Sequence, residues 1–291
     1  MLRSVSYNSL LRNLRGRSLF EDSVESGMEA ESQSIASVKL LILHSDVKVA
    51  DRVGRTALHR CASAGHLDAV KLLLRISSVT TVDKNGMSSL HCAAQRGNVD
   101  TLKFLLPLSF VNARDVQYRT PLHVSASCGH TDITSLLLLF TSTEIRVEEQ
   151  PTLLDYCTWN GHTNVVRYLL PHLSTTIRSI HGNTSLHISA DIGHLEVARV
   201  ILPHTVHLVH ATYDCTAAHM AAYYNSYKVL KLLLPYFEAD NKDNFGDTAL
   251  MLKLKVCFQR FCTQEKSDKR SSNRSDMLGV DDIEMIKLLL L

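Results

Sequence analysis

Fifteen histidines and seven cysteines are the side chains of this 291-residue chain best equipped for metal binding, acid–base work or nucleophilic attack. Most of the histidines recur at one interval. His59, His91, His123, His187 and His219 fall on a 32-residue register, with Asp155 and Met251 on the same marker position. A second set, His66, His130, His162 and His194, stands seven residues after the marker and directly after a glycine. Histidine catalysis needs a nucleophile or a second titratable group within hydrogen-bond reach. Markers on successive layers of packed helices would instead lie roughly 10 Å apart in a row. Scaffolding is therefore the expected role of the five marker histidines, and no catalytic residue is assigned. Cys257 and Cys262 are five apart with no histidine or third cysteine following, which is no zinc-knuckle spacing. Gly54, Gly86, Gly182 and Gly246 recur with the period and never form a phosphate-binding loop. The run Asp83–Gly86 lacks the downstream acidic ligands of a calcium loop and reads as a turn. No cofactor and no metal is expected.

The elements that position these residues follow from one repeat, residues 51–82. Asp51, Gly54, Arg55 and Thr56 carry a turn signature, and the Thr56 hydroxyl suits a helix N-cap. Leu58, Cys61 and Ala62 then share one side of a short helix that Gly65 ends. Val70, Leu72 and Leu73 give a second helix with a buried face. Threonine stands three before the marker at 56, 120, 152, 184, 216 and 248, with Ser88 in the remaining copy. Leucine precedes the marker at 58, 90, 122, 154, 186 and 250, and glycine follows by six at 65, 97, 129, 161 and 193. Pro107, Pro171, Pro203 and Pro235 fall sixteen after it, where proline is expected to stop the second helix. A period of this length predicts an all-α repeat solenoid, in which each unit buries its apolar face against its neighbours.

Thr-Pro-Leu-His at 120–123, the related runs at 56–59, 88–91, 184–187 and 216–219, and the Gly-His pairs at 65–66, 129–130, 161–162 and 193–194 resemble the ankyrin-repeat family. That resemblance covers about residues 34–291. It implies stacked helix-turn-helix repeats with short β-turn or hairpin fingers, and a marker histidine that hydrogen-bonds across the finger and its neighbour. It further implies a docking surface, with no bond-making chemistry. Known contexts of such arrays also include the regulatory or substrate-recruiting portion of a larger protein, such as a channel, an acyltransferase or a ubiquitin-ligase adaptor.

The register assigns repeats one to six to 51–82, 83–114, 115–146, 147–178, 179–210 and 211–242. An incomplete capping repeat is expected at 34–50, after a flexible arm at 1–33. The fourth repeat diverges at Asp155, and the sixth puts Ala218 and Asn225 where leucine and glycine usually stand. In the seventh, 243–291, Lys287 stands 216 residues beyond Lys71 where six periods give 192, which leaves a polar insertion of 24 residues at about 257–280. Ser271, Ser272 and Ser275 lie there among basic residues and are candidate phosphorylation sites on a surface loop.

Composition bounds the partners. The 31 basic and 29 acidic residues leave a formal charge of +2, too near neutral for a broad nucleic-acid or membrane footprint. No apolar run of about 18 residues suggests a membrane span. Arg3, Arg12, Arg15 and Arg17 precede the first acid, Glu21, and fit a transit peptide, a poorly ordered arm or the end of a larger region. Odd cysteine number and apolar-pattern positions favour small buried thiols in a reducing setting. A cytoplasmic location is expected, with the nucleus, or a membrane reached through a partner or further domain, as alternatives. A protein or peptide partner is expected on the concave face, formed by positions one, four and five after the marker. There Trp159, the single tryptophan, and the Tyr223–Tyr224 pair follow smaller or polar residues and Arg96. Large amphipathic aromatics are frequent binding anchors; the alternative is that Trp159 fills a gap created by the divergent fourth repeat. Finger residues Arg55, Tyr118, Arg119, His181, Asn183 and Tyr213 would extend the contact.

Overall fold

The computed structural model describes residues 50–141, 151–173, 182–205, 213–238, 240–267 and 280–290. The chain divides into two compact units, Met1–Ser142 and Thr143–Leu291. In the first, three helix pairs are described: α1 (Ala57–Ala64) and α2 (Leu67–Leu73), α3 (Ser89–Arg96) and α4 (Val99–Leu105), α5 (Pro121–Ser127) and α6 (Thr131–Leu138). In the second there are four: α7 (Leu153–Trp159) and α8 (Thr163–Leu169), α9 (Ser185–Ile192) and α10 (Leu195–Thr205), α11 (Ala217–Tyr223) and α12 (Tyr227–Leu233), α13 (Ala249–Ser267) and α14 (Val280–Leu290). First helices pack on first helices, α1 to α3 to α5 and α7 to α9 to α11 to α13, while within each unit the second helices pack on one another as a second row. This is the stacked helix-turn-helix solenoid that the period predicts.

The core follows the register. Leucine before the marker is buried at 58, 90, 122, 154 and 186, as are the residues two and three after it, from Cys61 and Ala62 to Ala221 and Ala222. Alanine, serine and cysteine at those two positions, with Thr158 the exception, let adjacent first helices approach closely. From the second helices, Val70, Leu73, Leu102, Leu105, Ile133, Leu137, Val166 and Leu169 close the other side. Each such aliphatic side chain contributes about 2 kcal/mol of burial.

Between units of the repeat, Asp51, Asp83, Asp115 and Asp243 build the fingers. The Oδ1 of each accepts from two backbone N–H groups further along its own turn, as in Val53 and Arg55 to Asp51 at 2.8 Å each. Neighbouring fingers are joined by Lys84 N–H to Val53 O and Val116 N–H to Asn85 O, both 2.9 Å. The finger strands are reduced to isolated bridges, Ala50 with Thr56 and Val82 with Ser88, among the described residues.

The glycine that follows a first helix has two duties. Gly97 takes φ +79°, and a Cβ there would stand 2.8 Å from the imidazole of His130 in the next repeat. Gly65 and Gly161 make the same space for Asn98 and His194. Those side chains use it to reach back and cap carbonyls of the preceding first helix: Asn98 to Ala62 and Ser63, His130 to Gln95, His194 to Trp159. A positive φ and a missing side chain thus serve the same joint.

Three sequence expectations change here. Cys92, Val124 and Ile188, one after the marker, are buried, because that position faces the adjacent first helix in those repeats. Pro203 lies inside α10, which runs on to Thr205, whereas Pro107, Pro171 and Pro235 sit in short 3-10 turns after their helices. Finally, α13 continues to Ser267, into the polar insertion. Cys257 occupies the place of the terminating glycine, and nothing in the local sequence forces the helix to stop. The arm at 1–33, the cap at 34–49, His181, Ser271, Ser272 and Ser275 lie outside the described residues.

Candidate functional site

The marker histidines are consumed by the scaffold. His59 Nδ1 faces the Thr56 hydroxyl at 2.9 Å and accepts from the Thr56 backbone N–H at 3.2 Å, while Nε2 reaches the Met87 carbonyl at 3.0 Å. His91 makes the same set with Ser88 and the Arg119 carbonyl, His187 with Thr184 and the Cys215 carbonyl, and His219 with Thr216 and the carbonyls of Asn241 and Asp247. His123 holds Thr120 through Nδ1 in the same way. An acceptor at Nδ1 and a donor at Nε2 define the neutral imidazole. Burial accordingly lowers the pKa of His59, His91 and His219, and pushes that of His123 down to about 4.

Asp155 replaces the histidine without emptying the joint. Its Oδ2 accepts from Thr152 N–H at 2.9 Å, and its Oδ1 accepts from the Ser185 hydroxyl of the next repeat at 2.8 Å. Burial pushes its carboxyl above the usual range. The fourth repeat is therefore adapted at its marker. In the sixth, Asn225 takes the glycine position at φ +64°, and its side-chain oxygen accepts from Lys253 Nζ at 2.5 Å. Lys253 is fully buried and also ion-pairs with Asp282, the α14 residue at the register of Asn98 and His130. Sequence patterning missed this lysine; its unusual place, two after the marker among alanines, serines and cysteines, was the available signal.

Above this completed core, the first-helix face of the second unit carries exposed aromatics. Trp159 is 37% exposed, Tyr223 45% and Tyr224 48%. Tyr156 meets Trp159 edge-on at 5.6 Å between ring centres, and Tyr223 meets Tyr224 likewise at 5.0 Å. Between them in register, on α9, stand half-buried Asp191 and exposed Ile192. Burial raises the Asp191 carboxyl, and burial together with the Asp191 and Tyr223 charges raises the Tyr224 phenol. At the fingers, Tyr213 stacks on Phe245 at 6.1 Å.

The remaining candidates separate from this group. Arg96 is exposed on α3 of the first unit. Arg55 pairs with Asp83 of the next finger at 3.1 Å and Arg119 with Asp115 of its own at 2.8 Å, so both already serve the array. Tyr118 is exposed with φ +61° at a position that is glycine in other fingers. Asn183 is half-buried, with its side-chain oxygen enclosed and unpaired. Among the described residues no group of three or more histidine, cysteine or acidic side chains is placed to hold a metal ion, and no helix is long and apolar enough to cross a membrane.

Family comparison agrees with this architecture. The ankyrin-repeat family model (three copies) matches residues 28–115, 107–179 and 186–256. The chain belongs to the ankyrin-repeat family. Among solved structures, the crystal structure of the human ASB11 ankyrin repeat domain is similar at 24% identity and a TM-score of 0.62, covering 81% of this chain and 97% of that one. No curated protein matches the chain. The capped histidines, glycine joints and paired finger arginines are thus the upkeep of an ankyrin array, whose general work is to bind other proteins. The exposed aromatics are surplus to that upkeep.

Proposed function

We propose that this ankyrin array is a non-catalytic interaction scaffold that binds a protein or peptide through its first-helix face, with Trp159, Tyr223 and Tyr224 as anchors. The observation that carries this reading is three large amphipathic rings, exposed four and five residues after the marker in the second unit, over a core that is complete without them. Rings of this kind lose little conformational entropy on binding and supply most of the energy of many interfaces. Tyr213 and Phe245, stacked at the fingers, are a second aromatic pair that would extend the contact. The Arg55, Tyr118, Arg119 and Arg96 side chains belong to the first unit and are assigned a lesser share. Buried free thiols at Cys61, Cys92 and Cys157 suit a reducing compartment and support a cytoplasmic setting.

Affinity capture with the intact array and with a Trp159→Ala/Tyr223→Ala variant tests the reading, with circular dichroism to confirm that the variant folds. Specific partners should be lost from the variant, and the affinity of an identified partner should fall by about thirtyfold or more, the size of a binding hot spot. Recovery of the same proteins at unchanged affinity overturns the assignment of these anchors.

A further inference from the structure

The aromatic face has an acid at its centre and, among the described residues, no base to answer it. Trp159, Asp191 and Tyr223 occupy the same position, four after the marker, on the consecutive first helices α7, α9 and α11. The backbone at the first two is clamped from the next repeat, by His194 Nε2 on Trp159 O at 3.1 Å and Ser226 Oγ on Asp191 O at 3.4 Å. The flanking register positions are Tyr156, Ile188 and Met220 on one side and Asn160, Ile192 and Tyr224 on the other. None is basic. The cations of the next first helix, α13, whose side chains are described are already committed: Lys253 to Asp282 and Asn225, and Lys255 to Asp247 at 2.5 Å. Arg199 lies on the second helix α10 and pairs with Glu196. The Asp191 carboxylate thus has no cation and no hydrogen-bond donor among the described residues.

We propose that this face recognises a basic side chain, an arginine or lysine of a partner peptide, received between the Trp159 ring and the Tyr223–Tyr224 pair and matched to the Asp191 carboxylate. A half-buried carboxylate without a partner is costly, and an incoming cation removes that cost. The faces of the indole and phenol rings are negative and attract the same cation. An arginine fits best, because its planar fork can meet the carboxylate while its flat faces stack on the rings. An apolar ligand would leave Asp191 unpaired, and an acidic one would meet repulsion. This inference rests on the proposed role of the aromatic face and adds the chemistry of its partner.

Trp159 is the only tryptophan, so its emission and its indole N–H resonance report on this site alone. The intact chain is titrated with three Gly-Ser peptides that differ only in carrying arginine, citrulline or glutamate. A saturable change is expected with the arginine peptide, with binding at least about tenfold weaker for citrulline and absent for glutamate. Asp191→Asn should bring the arginine affinity down to the citrulline level while its melting temperature stays within that of the parent. No response to the arginine peptide at millimolar concentration overturns the inference. Equal binding of arginine and citrulline peptides also overturns it, yet would leave the aromatic face standing as a recognition surface. Failure of that face itself is read separately, from partner capture by the Trp159→Ala/Tyr223→Ala variant.

Discussion

Each marker imidazole accepts through Nδ1 from a backbone N–H three residues earlier, so protonating that nitrogen would set two donors against each other. The sign of the resulting pH dependence is fixed by the lowered pKa values. Above pH 6.5, near the value of a free histidine, the imidazoles are neutral whether the chain is folded or not, and their full contribution is present. As pH falls below 6.5 the unfolded chain binds protons that the folded one refuses, and stability is lost until the folded values are reached, about 4 for His123. At pH 5, His123 alone accounts for a loss on the order of 2 kcal/mol. Thermal melts from pH 7.5 to 4.5 should show a falling midpoint that begins near 6.5. A flat profile over pH 5–6.5 would contradict the neutral, buried assignment. Asp155 opposes the trend at the acid end, since a carboxyl raised by burial gains protons more readily folded than unfolded. The histidines' structural role was legible in their period. That aspartate could replace one was not, because the replacement depends on Ser185, thirty residues away, donating a hydroxyl.

Helices α13 and α14 depart furthest from the repeat and are held by a buried charge. Lys253 is enclosed completely and meets Asp282 on α14 and Asn225 at the end of α11. Removing one member of a buried pair leaves the other uncompensated, at a cost of about 3–5 kcal/mol, whereas replacing both by apolar groups can be neutral. Asp282→Ala should therefore shift the urea midpoint markedly downward, and Lys253→Met combined with Asp282→Leu should recover most of the loss. A single variant as stable as the parent would show that the pair does not hold α14. The sequence displayed the helices here but hid their joint. Asn225 for glycine reads as a weakened repeat until Lys253 and Asp282 are seen to meet its side chain. The extension of α13 had a plainer sign in Cys257, a helix-compatible residue where the first helices of repeats one to five are followed by glycine and that of the sixth by Asn225.

The two compact units each contain buried thiols, which makes their stabilities separately measurable. Cys61 and Cys92 lie in the core of the first and Cys157 in that of the second. Burial pushes the Cys61 thiol up to about 12 and that of Cys92 up to about 11, and raises that of Cys157 further. At pH 8 all three should resist a thiol reagent, then become reactive as urea opens the unit that holds each, read by mass spectrometry of the labelled peptides. Labelling in buffer at the rate of a free thiol would refute this burial. At this scale the solenoid was fully legible, since a 32-residue period admits little else. The site was legible only in part: the register singled out Trp159 and the tyrosines, but Asp191 looked unremarkable until its lack of a cation among the described residues was visible in three dimensions. The glycine joints carry a last consequence, for gene rearrangement. Because Gly65, Gly97, Gly161 and Gly193 are each the socket for a side chain of the following repeat, what is inherited intact is the seam between two repeats. Excision of 179–210 would bring Gly161 against Ser226, a smaller plug for an open socket. Excision of 211–242 would set Gly193 against Asp282 and take Asn225 from Lys253. Loss of the fifth repeat would also set buried Asp155 against Ala217 in place of the Ser185 hydroxyl, so shortening of this array by recombination should be selected against at both repeats.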